Sequence, residues 1–131
     1  MKYIKFCPDG TKMYYQNNLL HREDGPAIEY ANGTKYWYQY GKYHREDGPA
    51  VELTNGAKSW YQEGKLHREG GPAIEYADGS KSWYQYGQLH RVDGPAVESS
   101  SGTKYWYYKG TEINCSSQQE FIRLINLKVF W

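Results

Sequence analysis

Apolar and polar residues alternate along this chain in short runs, and the runs return at a fixed interval. Ala27-Ile28-Glu29-Tyr30, Ala50-Val51-Glu52-Leu53, Ala73-Ile74-Glu75-Tyr76 and Ala96-Val97-Glu98-Ser99 each begin 23 residues after the last. A second run follows each of them: Lys35-Tyr36-Trp37-Tyr38-Gln39-Tyr40 and its equivalents at 58–63, 81–86 and 104–109. Period-two alternation predicts strands, and regular recurrence predicts a stacked array. The expected fold is all-β, an elongated antiparallel meander or solenoid of β-hairpin repeats.

Turn residues divide the runs. Asp9-Gly10, Asn32-Gly33, Asn55-Gly56 and Asp78-Gly79 are dipeptides that favour a two-residue type I′ turn, with Ser101-Gly102 a weaker version. Such a turn sets Ile28 opposite Trp37, Val51 opposite Trp60, Ile74 opposite Trp83 and Val97 opposite Trp106. In that register Ile28, Trp37 and Gln39 share one face, and Ala27, Glu29, Tyr36, Tyr38 and Tyr40 share the other. A second turn is expected at Tyr40-Gly41, Glu63-Gly64 and Tyr86-Gly87. A third is expected in His44-Arg45-Glu46-Asp47-Gly48-Pro49-Ala50 and its copies from His21, His67 and His90, because Pro fixes φ. There Asp47 is expected to bond backbone N–H groups, Arg45 to pair with Glu29 or Glu52, and His44 to pack beside Trp37.

The units are a partial one at 1–26, repeats 27–49, 50–72, 73–95 and 96–110, then a tail and helix at 111–131, all in a single repeat domain. In the partial unit Tyr14 stands in the Trp place and Asn18 in the Gly place. Ser117-Gln118-Gln119-Glu120 has the form of a capping box, and Phe121, Ile122, Leu124, Ile125 and Val129 follow as an apolar stripe. A helix at 117–129 is expected to cover the last repeat, since an open sheet edge invites pairing with other chains.

Composition sharpens this picture. The chain carries 15 Tyr, 5 Trp and 3 Phe, so burial must come largely from rings that keep a polar edge near water. A net charge of +1 and no basic tail weigh against nucleic acid as a partner. No secretion signal and no run of about 18 apolar residues is visible, so no membrane span and a cytoplasmic location are expected. Cys7 and Cys115 lack the spacing of metal ligands or of a disulfide scaffold, and free thiols are expected. Four evenly spaced His cannot converge on one ion when each unit adds two strands of about 4.8 Å. No metal, cofactor or catalytic residue is expected, because a catalytic constellation occurs once and not four times on a lattice.

The motif Trp37-Tyr38-x-x-Gly41-Lys42-x-His44, with Asn-Gly turns between units, resembles the MORN repeat over roughly residues 8–110. The chain departs from that family where His-Arg-Glu-Asp-Gly-Pro-Ala replaces His-Gly-x-Gly, so it resembles a divergent variant. The resemblance implies a single-layer sheet of stacked hairpins serving as an interaction scaffold, with lipid or peptide binding in some members and no catalysis.

The candidate binding surface is the Tyr row with the positions that vary between units: Tyr36, Tyr38, Tyr40, Tyr61, Glu63, Tyr84, Tyr86 and Tyr107. The expected function is a non-enzymatic protein-interaction module, a small regulatory or inhibitory protein of a kind that would suit a virus, docking another protein through an aromatic face. Homo-oligomers through open sheet edges fit the same reading. The alternative is aromatic-lined binding of choline, a glycan, a nucleotide or single-stranded nucleic acid.

Overall fold

The computed structural model describes residues 1–127 and contains strands in antiparallel pairs with one C-terminal helix. An edge strand, Lys2–Phe6, pairs with Lys12–Gln16 over its full length, from Lys2 opposite Gln16 to Phe6 opposite Lys12. Three repeats then contribute four two-residue strands each, beginning with Ile28–Glu29, Lys35–Tyr36, Tyr38–Gln39 and Lys42–Tyr43. The first two strands of each unit join one ladder in chain order, and each pairs with a neighbour on both sides. The second two form a hairpin tied to the adjacent unit by bonds such as Gly41 N–H to Leu20 C=O at 2.8 Å and Gly64 N–H to Tyr43 C=O at 2.8 Å. In the fourth unit the break at Trp is lost, and Lys104–Tyr108 runs as one strand against Thr111–Ile113. The repeating all-β meander is as expected.

The register is not. Ile28 lies opposite Tyr36, not Trp37, and Val51, Ile74 and Val97 lie opposite Ser59, Ser82 and Tyr105. The Asn-Gly loops hold three residues: Tyr30 N–H bonds Thr34 C=O at 2.9 Å and Gly33 N–H bonds Tyr30 C=O at 3.0 Å. Gly33 alone in that loop is left-handed, at φ +95°. The cause is the Asn32 side chain, whose Oδ1 accepts the Thr34 N–H at 2.9 Å and so favours a type I turn closed by a left-handed Gly. Asp9, Asn55 and Asp78 do the same for Thr11, Ala57 and Ser80. Two-residue turns with both residues left-handed occur instead at Tyr40-Gly41 (φ 50° and 79°), Glu63-Gly64, Tyr86-Gly87, Lys109-Gly110 and Asn17-Asn18.

A slip of one residue moves every side chain to the other face. Ile28, Tyr36 and Tyr38 therefore share a face, which also carries Val51, Ser59 and Tyr61. Ala27, Glu29 and Gln39 lie on the opposite face with Trp37. Ala27, Ala50, Ala73 and Ala96 are all 0% exposed.

The helix, α1, spans Gln118–Asn126, with Ser117 Oγ accepting the Glu120 N–H at 3.1 Å. Glu120 returns a bond to Ser116 N–H at 3.1 Å, one residue earlier than the capping box would place it. Lys128 and Val129, expected in this helix, lie outside the described residues. Phe121 and Ile125 pack with Trp106 and Ile113 in the chain's one cluster of large buried side chains among the described residues. The helix thus closes the last repeat as expected. Cys7 and Cys115 are free thiols near opposite ends of the ladder. No helix of the described residues is long and apolar enough to cross a membrane.

Candidate functional site

The face bearing Trp is covered by the chain itself. Arg22, Arg45, Arg68 and Arg91 lay their guanidinium carbons 3.7–4.0 Å from the ring centroids of Tyr14, Trp37, Trp60 and Trp83. Across the guanidinium sits the Gly of the Gly-Pro pair: a Cβ on Gly48 would come within 2.8 Å of Arg45 Cζ. Each cation is therefore sandwiched between an aromatic ring and a bare backbone. Arg45 Nη1 donates to Pro49 C=O at 3.0 Å and lies 3.7 Å from Glu52, while Nε donates to Asp47 at 3.1 Å. The carboxylate of Asp47 thus meets Arg45, where bonds to turn N–H groups were expected. The same contact, at Arg22, holds the Asp24 carboxyl below the usual carboxylate range.

The histidines join successive units. His21 Nδ1 accepts the Tyr40 N–H at 3.0 Å, and His44, His67 and His90 accept from Glu63, Tyr86 and Lys109 in the same way. Each donor is the first residue of the next unit's left-handed turn. An accepting Nδ1 leaves the proton on Nε2. In two units that Nε2 meets a Glu two residues on, at 2.7 Å for Glu46 and 3.0 Å for Glu69. His44 also lies opposite Trp37 across its hairpin, where its N–H bonds Trp37 C=O at 3.1 Å.

Acidification should act on this joint. Burial first, and the Lys109 ammonium second, hold the His90 imidazole below its ordinary value of 6.5. As pH falls the unfolded chain takes up this proton before the folded one. The stability due to a neutral His90 is complete above about 6.5 and is lost as pH falls through the lower folded value. Melting temperature should decline as pH falls below about 6.5, and His90→Asn, which keeps an acceptor that does not titrate, should flatten that decline in thermal melts.

The opposite face carries the Tyr rows. Tyr38, Tyr43 and Tyr61 form a continuous stack, with ring centroids 4.6 and 4.8 Å apart, and Tyr36 meets Tyr43 edge-on at 5.7 Å. Burial, then neighbouring phenols, raise the Tyr43, Tyr61 and Tyr84 hydroxyls above the usual tyrosine value, so the row stays uncharged. Tyr36, Tyr38, Tyr61, Tyr84 and Tyr107 are half-buried on this face, and Tyr84 and Tyr107 occupy the register of Tyr38 and Tyr61.

Three of the eight expected site residues lie elsewhere. Tyr40, Glu63 and Tyr86 occupy turns at the rim of grooves on the Trp face, with Tyr40 over His21 at 4.4 Å and Tyr86 over His67 at 4.3 Å. Strict alternation would set them with the Tyr rows, but the left-handed residue at each turn breaks the alternation. Reasoning from the chain alone also missed the stacked arginines. A signal was present: Arg and the Gly three residues later are identical in every unit, while the Glu and Asp between them are not.

No protein-family model matches the chain, and no curated protein aligns with it.

Proposed function

We propose that the protein is a non-enzymatic, MORN-like interaction module that docks another protein through its aromatic surface. The observation that carries this reading is the exposure of tyrosine at equivalent turns along the groove rims: Tyr40 is 61% and Tyr86 70% exposed. Such rings offer large contact area at small conformational cost, and an exposed aromatic surface marks an interaction site. The aromatic-cage alternative is weakened by the arginines, which already occupy one face of Trp37, Trp60 and Trp83.

Immobilised protein should capture a polypeptide in stoichiometric amount. Recovery should fall at least about tenfold in the Tyr40→Ser/Tyr86→Ser variant, since a central aromatic contact is worth 1–2 kcal/mol or more. Both residues are exposed, so the variant keeps its fold. Capture of no stoichiometric partner, or capture indifferent to these rings, would overturn the reading.

A further inference from the structure

We propose that the groove between the third and fourth Arg loops binds an oxyanion, a carboxylate or phosphate carried on a flat organic body. This groove lies on the Trp face, apart from the Tyr rows; it shares Tyr86 with the proposed docking surface but is distinguished by its charge, and the variants that test it leave Tyr86 in place. Its volume is about 670 Å³, within the range of small-molecule sites.

Equivalent grooves lie between each pair of successive loops, and their charges differ in a graded way. The groove between the first and second loops is lined by two basic and four acidic side chains. The next is lined by four of each. The third is lined by three basic side chains, Arg68, Arg91 and Lys109, against Asp93 alone.

Three departures from the repeat produce that excess, and all three meet in this one groove. Gly70 stands where other loops have Asp, so Arg68 Nε lacks the carboxylate that Asp24, Asp47 and Asp93 give to their arginines. Val92 stands where other loops have Glu, so His90 Nε2, which carries the ring proton, meets no carboxylate among the described residues. Lys109 stands where earlier units have Tyr40, Glu63 and Tyr86, and it forms no ion pair among the described residues. Loss of two carboxylates and gain of one ammonium leave three donor groups facing one cavity.

The walls suit a flat body behind the charge. Trp83, Tyr86 and Pro72 line the groove, and Val92 is 45% exposed at its rim. The rim is held in place by the cap: Gln118 accepts from Trp106 Nε1 and donates to Val92 C=O, each at 2.8 Å. Arg68 and Arg91 keep their ion pairs with Glu75 and Glu98 on the adjoining strands, at 3.0 and 3.3 Å. Those pairs orient the guanidinium groups and leave Arg68 Nε available.

The test uses phenyl phosphate and benzoate as probes, followed by NMR of the Trp83 indole and the Arg68 Nε–H. Both resonances should shift saturably with at least one probe, and the tighter probe assigns phosphate or carboxylate. In the Val92→Glu/Lys109→Tyr variant, affinity should fall at least about tenfold, as expected when two charge changes oppose one anion. Both substitutions restore residues that other units carry in the same backbone, Lys109 at φ 48° and Tyr86 at φ 50°, so the fold is kept. Lys109→Gln serves as a milder second variant, with a smaller loss in the same direction. No saturable shift with either probe, or affinity unchanged in both variants, would overturn the proposal.

Discussion

Phe121→Ala should lower the unfolding free energy by about 3–5 kcal/mol, the range for deleting a buried phenyl group from a packed site. Phe121 is 0% exposed and is the largest fully buried side chain in the described chain. Its neighbours explain the expected size of the loss. Ile113 takes the His place of the last unit, and α1 replaces the Arg loop that would otherwise cover Trp106. Elsewhere the array is held by thin contacts, so this cluster is the nearest thing to a core. Urea denaturation should show the loss, and hydrogen exchange should place it first in residues 97–113, the unit that α1 covers. A loss below about 1 kcal/mol would mean that the helix rests on the array without stabilising it.

Gly48→Ala should cost about 2 kcal/mol, and so should Arg45→Ala, yet the double variant should cost little more than either. The added methyl group would stand 2.8 Å from Arg45 Cζ, so the guanidinium must leave Trp37. With it go a cation–π contact worth about 0.5–2 kcal/mol and a bond to Pro49 C=O worth about 1 kcal/mol. The exposed Asp47 partner adds little. Gly48 is not left-handed, so its need for glycine comes from this close approach alone. Gly56 provides the contrast: it is left-handed at φ +93° with nothing within 4 Å, and Gly56→Ala should cost about 1–2 kcal/mol, additively with Arg45→Ala. Additive losses for Gly48 and Arg45 would refute the sandwich.

Much of the architecture was legible in the chain. Regular recurrence and alternation define the repeats, and the Ser117–Glu120 pattern defines the start of the cap. The register was not legible from dipeptides. Asn32-Gly33 is compatible with a two-residue and a three-residue loop, and the choice depends on one bond from Asn32 Oδ1 to Thr34 N–H. That bond decides which face Trp37 occupies. Once the faces exchange, the most polar segment of the repeat becomes the cover of its most aromatic row. The candidate surface was legible in part: the Tyr rows were, and the turn residues Tyr40, Glu63 and Tyr86 were misassigned to them. Long-range partners such as His21 with the Tyr40 N–H, 19 residues apart, leave no mark in local pattern.

The clamp from each histidine to the next unit's turn has a further consequence. It secures the left-handed residue through its backbone N–H, so the hydrogen bond of the joint forms whatever side chain stands there. That position holds Tyr40, Glu63, Tyr86 and Lys109 in turn, with φ between 48° and 50° throughout. With two strands per unit, successive positions stand about 10 Å apart. The array is thereby a row of independent letters, one per unit, each replaceable without rewriting its neighbours. Selection can edit what such a surface says while the scaffold that displays it stays the same.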